Sequence, residues 1–179
     1  MNGCETASML SQQSPFEQRA LRNALGAFVT GVKVITTRDR SGRLHGLTVN
    51  SFNTVSLEPP LVLWSQSKRA GSYKVFQETR EFAVSILAED QIDVSNRFAS
   101  PLDDKFDGIP VDDRFCGLPV IEGSSAWLHC RSFSQFDGGD HTVFVGEILQ
   151  IARSERPPLV FGDGQYLLAR PRAVASEAS

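Results

Sequence analysis

Short alternating strands separated by turn residues dominate the pattern of apolar and polar positions. Gly31 to Thr37 (GVKVITT) is β-branched and alternating, which predicts a strand. The Asp39-Arg40-Ser41-Gly42 turn folds it back onto a second strand from Leu44 onward. Gly46 to Tyr73 then predicts a strand pair, with Leu61-Val62-Leu63-Trp64 as a strand buried on both faces. Glu81 to Leu87 is another strand. Ala126 to Phe136 and Thr142 to Ile151 form a long hairpin around Asp137-Gly138-Gly139-Asp140. Leu159 to Phe161 and Gln165 to Leu168 form a last hairpin around Gly162-Asp163-Gly164.

Helical spacing is rarer. Ser14-Pro15-Phe16-Glu17 has the residues of a capped helix start, with Phe16, Ala20, Leu21 and Leu25 on one face and Gly26 as a stop. Ala70 to Thr79 reads as a short helix. Glu89 to Phe98 reads as another, with Ile92, Val94, Ser95 and Phe98 toward the core. Residues 99–114, rich in Asp, Pro and Gly, read as loop. The expected organisation is a disordered tail over 1–13, one domain over 14–169 and a frayed tail over 170–179.

At 179 residues, one domain is the natural size. Eighteen basic against 21 acidic residues give a net charge of −3, which provides no electrostatic footprint for nucleic acid or an anionic membrane. No apolar run has the length of a spanning helix, and the first residues lack the regions of a secretory signal. A cytoplasmic protein with free thiols at Cys4, Cys116 and Cys130 is expected.

The segment from Thr48 to Ser72 carries the candidate chemistry. Thr48, Asn50, Ser51, Asn53, Thr54 and Ser56 bring hydroxyls and amides to the approach of a core strand. Such groups are costly to bury unless something bonds them, and a polar planar ligand with an anionic tail would. Ser65, Gln66, Ser67 and Lys68 close that strand, with Ser72 at the following helix. The N–H groups of a helix start suit a phosphate, although Ser67 reads equally as an ordinary cap beside two solvated cations. His141 stands at a hairpin turn, where a solvated histidine is also common. No nucleophile elbow, clustered metal ligands or dinucleotide glycine fingerprint is present.

The segment GLTVNSFNTVSLEPPLVLWSQSKRAGSY closely resembles the signature stretch of the short-chain flavin reductases. Phe28 to Val32, Asp104-Lys105-Phe106, and Gly139-Asp140-His141 running into Phe144-Val145-Gly146 resemble further stretches of the same family, in family order. The resemblance covers roughly Phe16 to Leu168. It implies a mainly β (α+β) fold, a split β-barrel of Greek-key topology with a few flanking helices. It also implies an NAD(P)H:flavin oxidoreductase, which passes reduced FMN or FAD to a partner monooxygenase and works as a homodimer. The runners-up are a non-catalytic flavin carrier or sensor on the same fold and, last, a pyridoxamine-phosphate-oxidase type.

By that resemblance Thr30, Gly31 and Val32 lie near the flavin ring, Gly31 reading equally as a simple bend. Thr48, Val49, Asn50, Ser51, Ser56 and Leu57 line the flavin. Ser65, Gln66, Ser67, Lys68 and Ser72 lead to its phosphate. Phe98 to Phe106 cover it, with Lys105 on the phosphate side unless it only pairs with its acidic neighbours. His141 faces the nicotinamide of NADH or NADPH, and Tyr166 either joins it or is a core tyrosine.

Overall fold

A computed structural model describes residues 17–115 and 117–172. Ser14, Pro15, Phe16, Cys4, Cys116 and the two expected tails beyond those limits lie outside the described residues. The chain opens on helix α1 (Gln18–Gly26), followed by the short strand β1 (Thr30–Gly31) and then β2 (Lys33–Arg38) and β3 (Leu44–Val49). β4 (Asn53–Leu57), β5 (Pro60–Ser67), helix α2 (Tyr73–Glu78), β6 (Glu81–Ile86) and helix α3 (Ile92–Ala99) come next. β7 (Val111–Phe115), β8 (Leu118–Ile121), β9 (Ala126–Gly138), β10 (His141–Arg153), β11 (Leu159–Gly162) and β12 (Gln165–Leu168) complete it.

Seven strands form one antiparallel sheet in the order β3-β2-β6-β9-β10-β5-β4. The sheet rolls up because the apolar side chains of one face have a common centre. Ile35, Val49, Val62, Trp64, Phe82, Val84, Cys130 and Phe144 come from six strands and meet in one buried cluster, closed at one end by Phe76 of α2. Trp64 is its hub, stacked on Phe144 at 4.5 Å and edge-on to Phe76 and Phe82. Gly146 makes room for that arrangement: a Cβ there would stand 2.4 Å from the Phe82 ring.

The barrel is not closed by a continuous ladder. β4 pairs with β5 between Leu57↔Pro60 and Asn53↔Leu63 and goes no further. Beyond it, the Ser51 hydroxyl accepts from the Ser65 N–H at 3.0 Å and donates to the Ser65 carbonyl at 3.1 Å. One side chain thus does at this seam what strand pairing does elsewhere, leaving no orphaned backbone group at Ser65.

Outside the barrel, α3 and the three-stranded sheet β1-β11-β12 cover Val32, Val34, Leu87, Phe98, Ile121 and Leu159. A third cluster, Phe115, Leu118, Val120 and Trp127 with Ala83, lies under the β7–β8 hairpin. That hairpin corrects the loop expected over 99–114: β7 begins at Val111 because Val111 and Phe115 pair with Ile121 and Leu118. Two further expectations change. β5 is buried on one face only, with Val62, Trp64 and Gln66 inside while Leu61 and Leu63 are half-exposed. Ile92 is exposed, because α3 turns Ser95 and Phe98 toward β3 instead.

Helix α1 has the expected apolar stripe but buries none of its residues, and Phe28 just after it is 72% exposed. Among the described residues no helix is long and apolar enough to cross a membrane.

Candidate functional site

β3 turns Leu44, Gly46 and Thr48 to its outer face. The Thr48 hydroxyl donates to the Ser95 carbonyl of α3 at 2.7 Å, which fixes the helix against the strand. Gly46 allows the next contact. A Cβ there would fall 2.5 Å from Phe98 and 3.2 Å from Phe106, so only glycine lets this edge-on aromatic pair lie flat on the strand. A cavity of about 590 Å³ opens between this face, Arg69–Ser72 ahead of α2, and the segment from Phe98 to Phe106. That volume is within the range of nucleotide-sized ligand sites.

The cavity is cationic although the chain carries a net −3. Arg43, Arg69 and Lys105 line it against one carboxylate, Asp103. Arg43 reaches the Asp103 carbonyl, not its carboxylate. Lys105 donates to the Phe98 carbonyl at 2.9 Å, and burial lowers its pKa below the ordinary lysine value. Ser72 receives an N–H from the buried Gln66 amide at 2.9 Å, and the Gln66 Oε1 has no partner. A charged cavity with the Thr48 and Ser72 hydroxyls in its wall fits a phosphate-bearing ligand.

His141 is the first residue of β10 and pairs with Ser67 of β5. Its turn is two residues long, Gly139-Asp140, with Gly139 at φ +81. Lys68 holds the turn. Its ammonium donates to Asp137 Oδ2 at 2.6 Å and to the Gly139 carbonyl at 2.7 Å, and its N–H donates to the Asp140 carbonyl. The Lys68 hydrogen bond holds the Asp137 carboxyl below its usual range, and the His141 ring does the same for Asp140. The His141 Nδ1 is 2.7 Å from Asp140 Oδ1, and its imidazole is half-exposed. Ser67 and Lys68 bond the histidine's strand and turn, and Arg69 to Ser72 directly after them line the cavity, so one short segment runs from one to the other.

The structure sorts the residues the sequence singled out. Thr48, Ser72, Phe98, Lys105 and Phe106 gather around the cavity. Ser65, Gln66, Ser67, Lys68 and His141 follow one another along the end of β5 and the turn beside it. Asn50 is exposed at the end of β3. Others are engaged elsewhere. Val32 is buried in the outer core with both backbone groups bonded, to Leu159 and Leu87, and Val49 points into the barrel. Ser51 closes the seam, and Ser56 accepts from the Glu58 N–H in its own turn. Leu57 is at that same turn, seven residues along β5 from Ser67, roughly 20 Å at the rise of a strand. Tyr166 shares hydrogen bonds with Ser95 and Asn96, tying the last hairpin to α3. Lys68 is a clamp on the His141 turn, not a free cation. Arg43 and Gly46 have no role in the sequence reading, and Arg69 reads there only as a cation beside Ser67. Arg43 stands between a turn and a strand with nothing local to mark it, and the clearance at Gly46 depends on Phe98, 52 positions away.

Residues 25–168 match the model of the flavin reductase like domain. The chain belongs to this family. It is 44% identical over 148 residues to the FMN reductase (NADH) SmoA of Agrobacterium fabrum (strain C58 / ATCC 33970), covering 83% of this chain and 84% of that one. It is 40% identical over 158 residues to the reductase subunit HsaB of a flavin-dependent monooxygenase of Mycobacterium tuberculosis (strain ATCC 25618 / H37Rv), covering 87% and 84%. The NADH:FAD oxidoreductase SgcE6 of Streptomyces globisporus C-1027, solved with NAD and FAD fragments, superposes with a TM-score of 0.79 at 35% identity, covering 90% of this chain and 96% of that one. Some relatives are longer: the chain spans 48% of the reductase component of the trigonelline monooxygenase of Acinetobacter baylyi (strain ATCC 33305 / BD413 / ADP1). The fold is therefore the split barrel of this flavin reductase family.

Gly46→Ala tests the geometry of the cavity. The added methyl displaces the Phe98–Phe106 pair, and the expected loss is about 1–3 kcal/mol of stability together with weaker flavin binding. Thermal melts and a flavin titration measure both, and a variant indistinguishable from the parent in each would show that the aromatic pair adapts freely.

Proposed function

We propose that the protein is an NAD(P)H-dependent flavin reductase that hands reduced FMN or FAD to a partner monooxygenase. The observation that carries this reading is the cationic cavity beside β3, adjoining a turn that presents His141. The flavin and nicotinamide supply the hydride chemistry themselves when bound. The chain's own residues then have three tasks. Arg43, Arg69, Lys105 and Ser72 hold phosphate charge. Phe98 and Phe106 give an apolar wall. His141, oriented through Nδ1 by Asp140, offers its other ring nitrogen to the incoming nicotinamide. The assignments of Thr30, Gly31, Asn50, Ser65 and Ser67 as flavin contacts belong to the same proposal.

The test is steady-state oxidation of NADH and of NADPH with added FMN or FAD. The expected result is turnover well above the enzyme-free rate with at least one pairing. Enzyme-free rates in all four pairings would end the proposal, and tight flavin binding without turnover would favour a carrier.

A homodimer is part of this reading. The exposed stripe of α1, Phe28, and Leu57, which is 93% exposed at the tip of β4, leave apolar surface that a second copy covers. Light scattering at a mass near twice 19.7 kDa supports it, and a monomer at micromolar concentration removes it. A cytoplasmic setting completes the proposal, in keeping with Cys130, whose free thiol is buried and pushed up to about 12 by that burial.

A further inference from the structure

Among the described residues Lys33 is a buried cation with no carboxylate partner. It lies on the inner face of β2, in line with Ile35, and is 8% exposed. Its ammonium donates to the Gly31 carbonyl at 3.0 Å and stands 5.1 Å from the Phe52 ring. The strands on either side face it with Val49 and Ile86, so no titratable group meets it from β1, β3, β6 or the Phe52 segment. Burial alone lowers its pKa to about 8. Three residues earlier, the Thr30 hydroxyl is also buried and without a partner. A methionine would fill the Lys33 space without that desolvation penalty, and one carbonyl and one ring are thin compensation for a buried ammonium.

Lys33 lies where Gly31 meets Val49 and Phe52, between Gly31 and Asn50, two residues proposed above as flavin contacts. Hydride transfer to a neutral oxidised ring leaves one negative charge behind. A lone ammonium in a dry setting is the group that favours such a product. We infer that Lys33 belongs to the flavin site and favours the reduced, anionic flavin over the oxidised, neutral one. The inference rests on the flavin reductase reading and adds a residue to it.

The experiment measures dissociation constants for oxidised and for anaerobically reduced FMN, with wild type, Lys33→Met and Lys33→Arg. Lys33→Met is expected to bind oxidised FMN within about twofold of wild type, yet to lose about tenfold or more of the preference for the reduced form, one unit of charge interaction. Lys33→Arg keeps the preference. In wild type the preference fades as pH rises past the point where Lys33 loses its proton. This pH series needs no variant, so the inference stays testable if Lys33→Met does not fold. An unchanged ratio in Lys33→Met, or a wild-type ratio flat from pH 7 to beyond the lysine's titration, overturns the inference and leaves the flavin site standing. Failure of wild type to bind either form overturns both.

Discussion

His141→Ala slows nicotinamide-driven flavin reduction by about 10- to 100-fold and leaves the flavin dissociation constant nearly unchanged. The size follows from losing one hydrogen bond to a charged or charge-developing group, about 1.5–3 kcal/mol. The selectivity follows from position. His141 opens β10 just after a two-residue turn and is not among the residues that line the cavity with Arg43, Lys105 and Phe98. Stopped-flow reduction at saturating flavin, set beside a flavin titration, separates the two effects. Lys68→Met makes a companion test because its ammonium is bonded to Asp137 and Gly139. If Lys68 only holds the turn, the variant raises KM for the nicotinamide and spares flavin affinity. A collapse of flavin affinity would make Lys68 a phosphate ligand after all, and equal reduction rates in His141→Ala and wild type would take the histidine out of the mechanism.

Trp64→Ala lowers stability by about 3–5 kcal/mol, the range for deleting a large buried aromatic side chain. The indole is fully buried at the centre of the barrel, in contact with rings from three other elements. Its N–H has no partner, which makes Trp64→Phe informative. That variant leaves a smaller void and also removes an unsatisfied donor, so the expected loss is well below that of alanine. Urea unfolding of the three proteins gives the ranking. A Trp64→Ala protein as stable as its parent would mean that the cluster is not the core of the barrel.

The hairpins were legible because their turns require backbone angles few residues tolerate. Gly139 at φ +81, Asp163 at φ 49 and Gly164 at φ +74 are where Gly-rich and Asp-Gly spellings place them. The β7–β8 hairpin was not legible, because Asp112-Asp113-Arg114 interrupts the apolar alternation that Val111 and Phe115 begin. The hydroxyl row shows a different limit. Sequence gives Thr48, Ser51 and Ser56 the same chemistry, whereas the fold assigns them to a helix carbonyl, a strand edge and a local turn. Their partners are 47, 14 and 2 residues away, so only the nearest could be read from spacing. Lys33 did leave a trace, a cation at the start of a β-branched strand.

The joint at Ser51 has a mechanical consequence. A cylinder whose wall is fastened on one line by a single hydroxyl, where the rest is held by rows of paired amides, has an adjustable girth. It can widen there by rotating one χ angle, with every neighbouring ladder kept whole. For a protein whose cargo must leave as readily as it arrives, compliance at that line lets the wall yield without any strand unfolding.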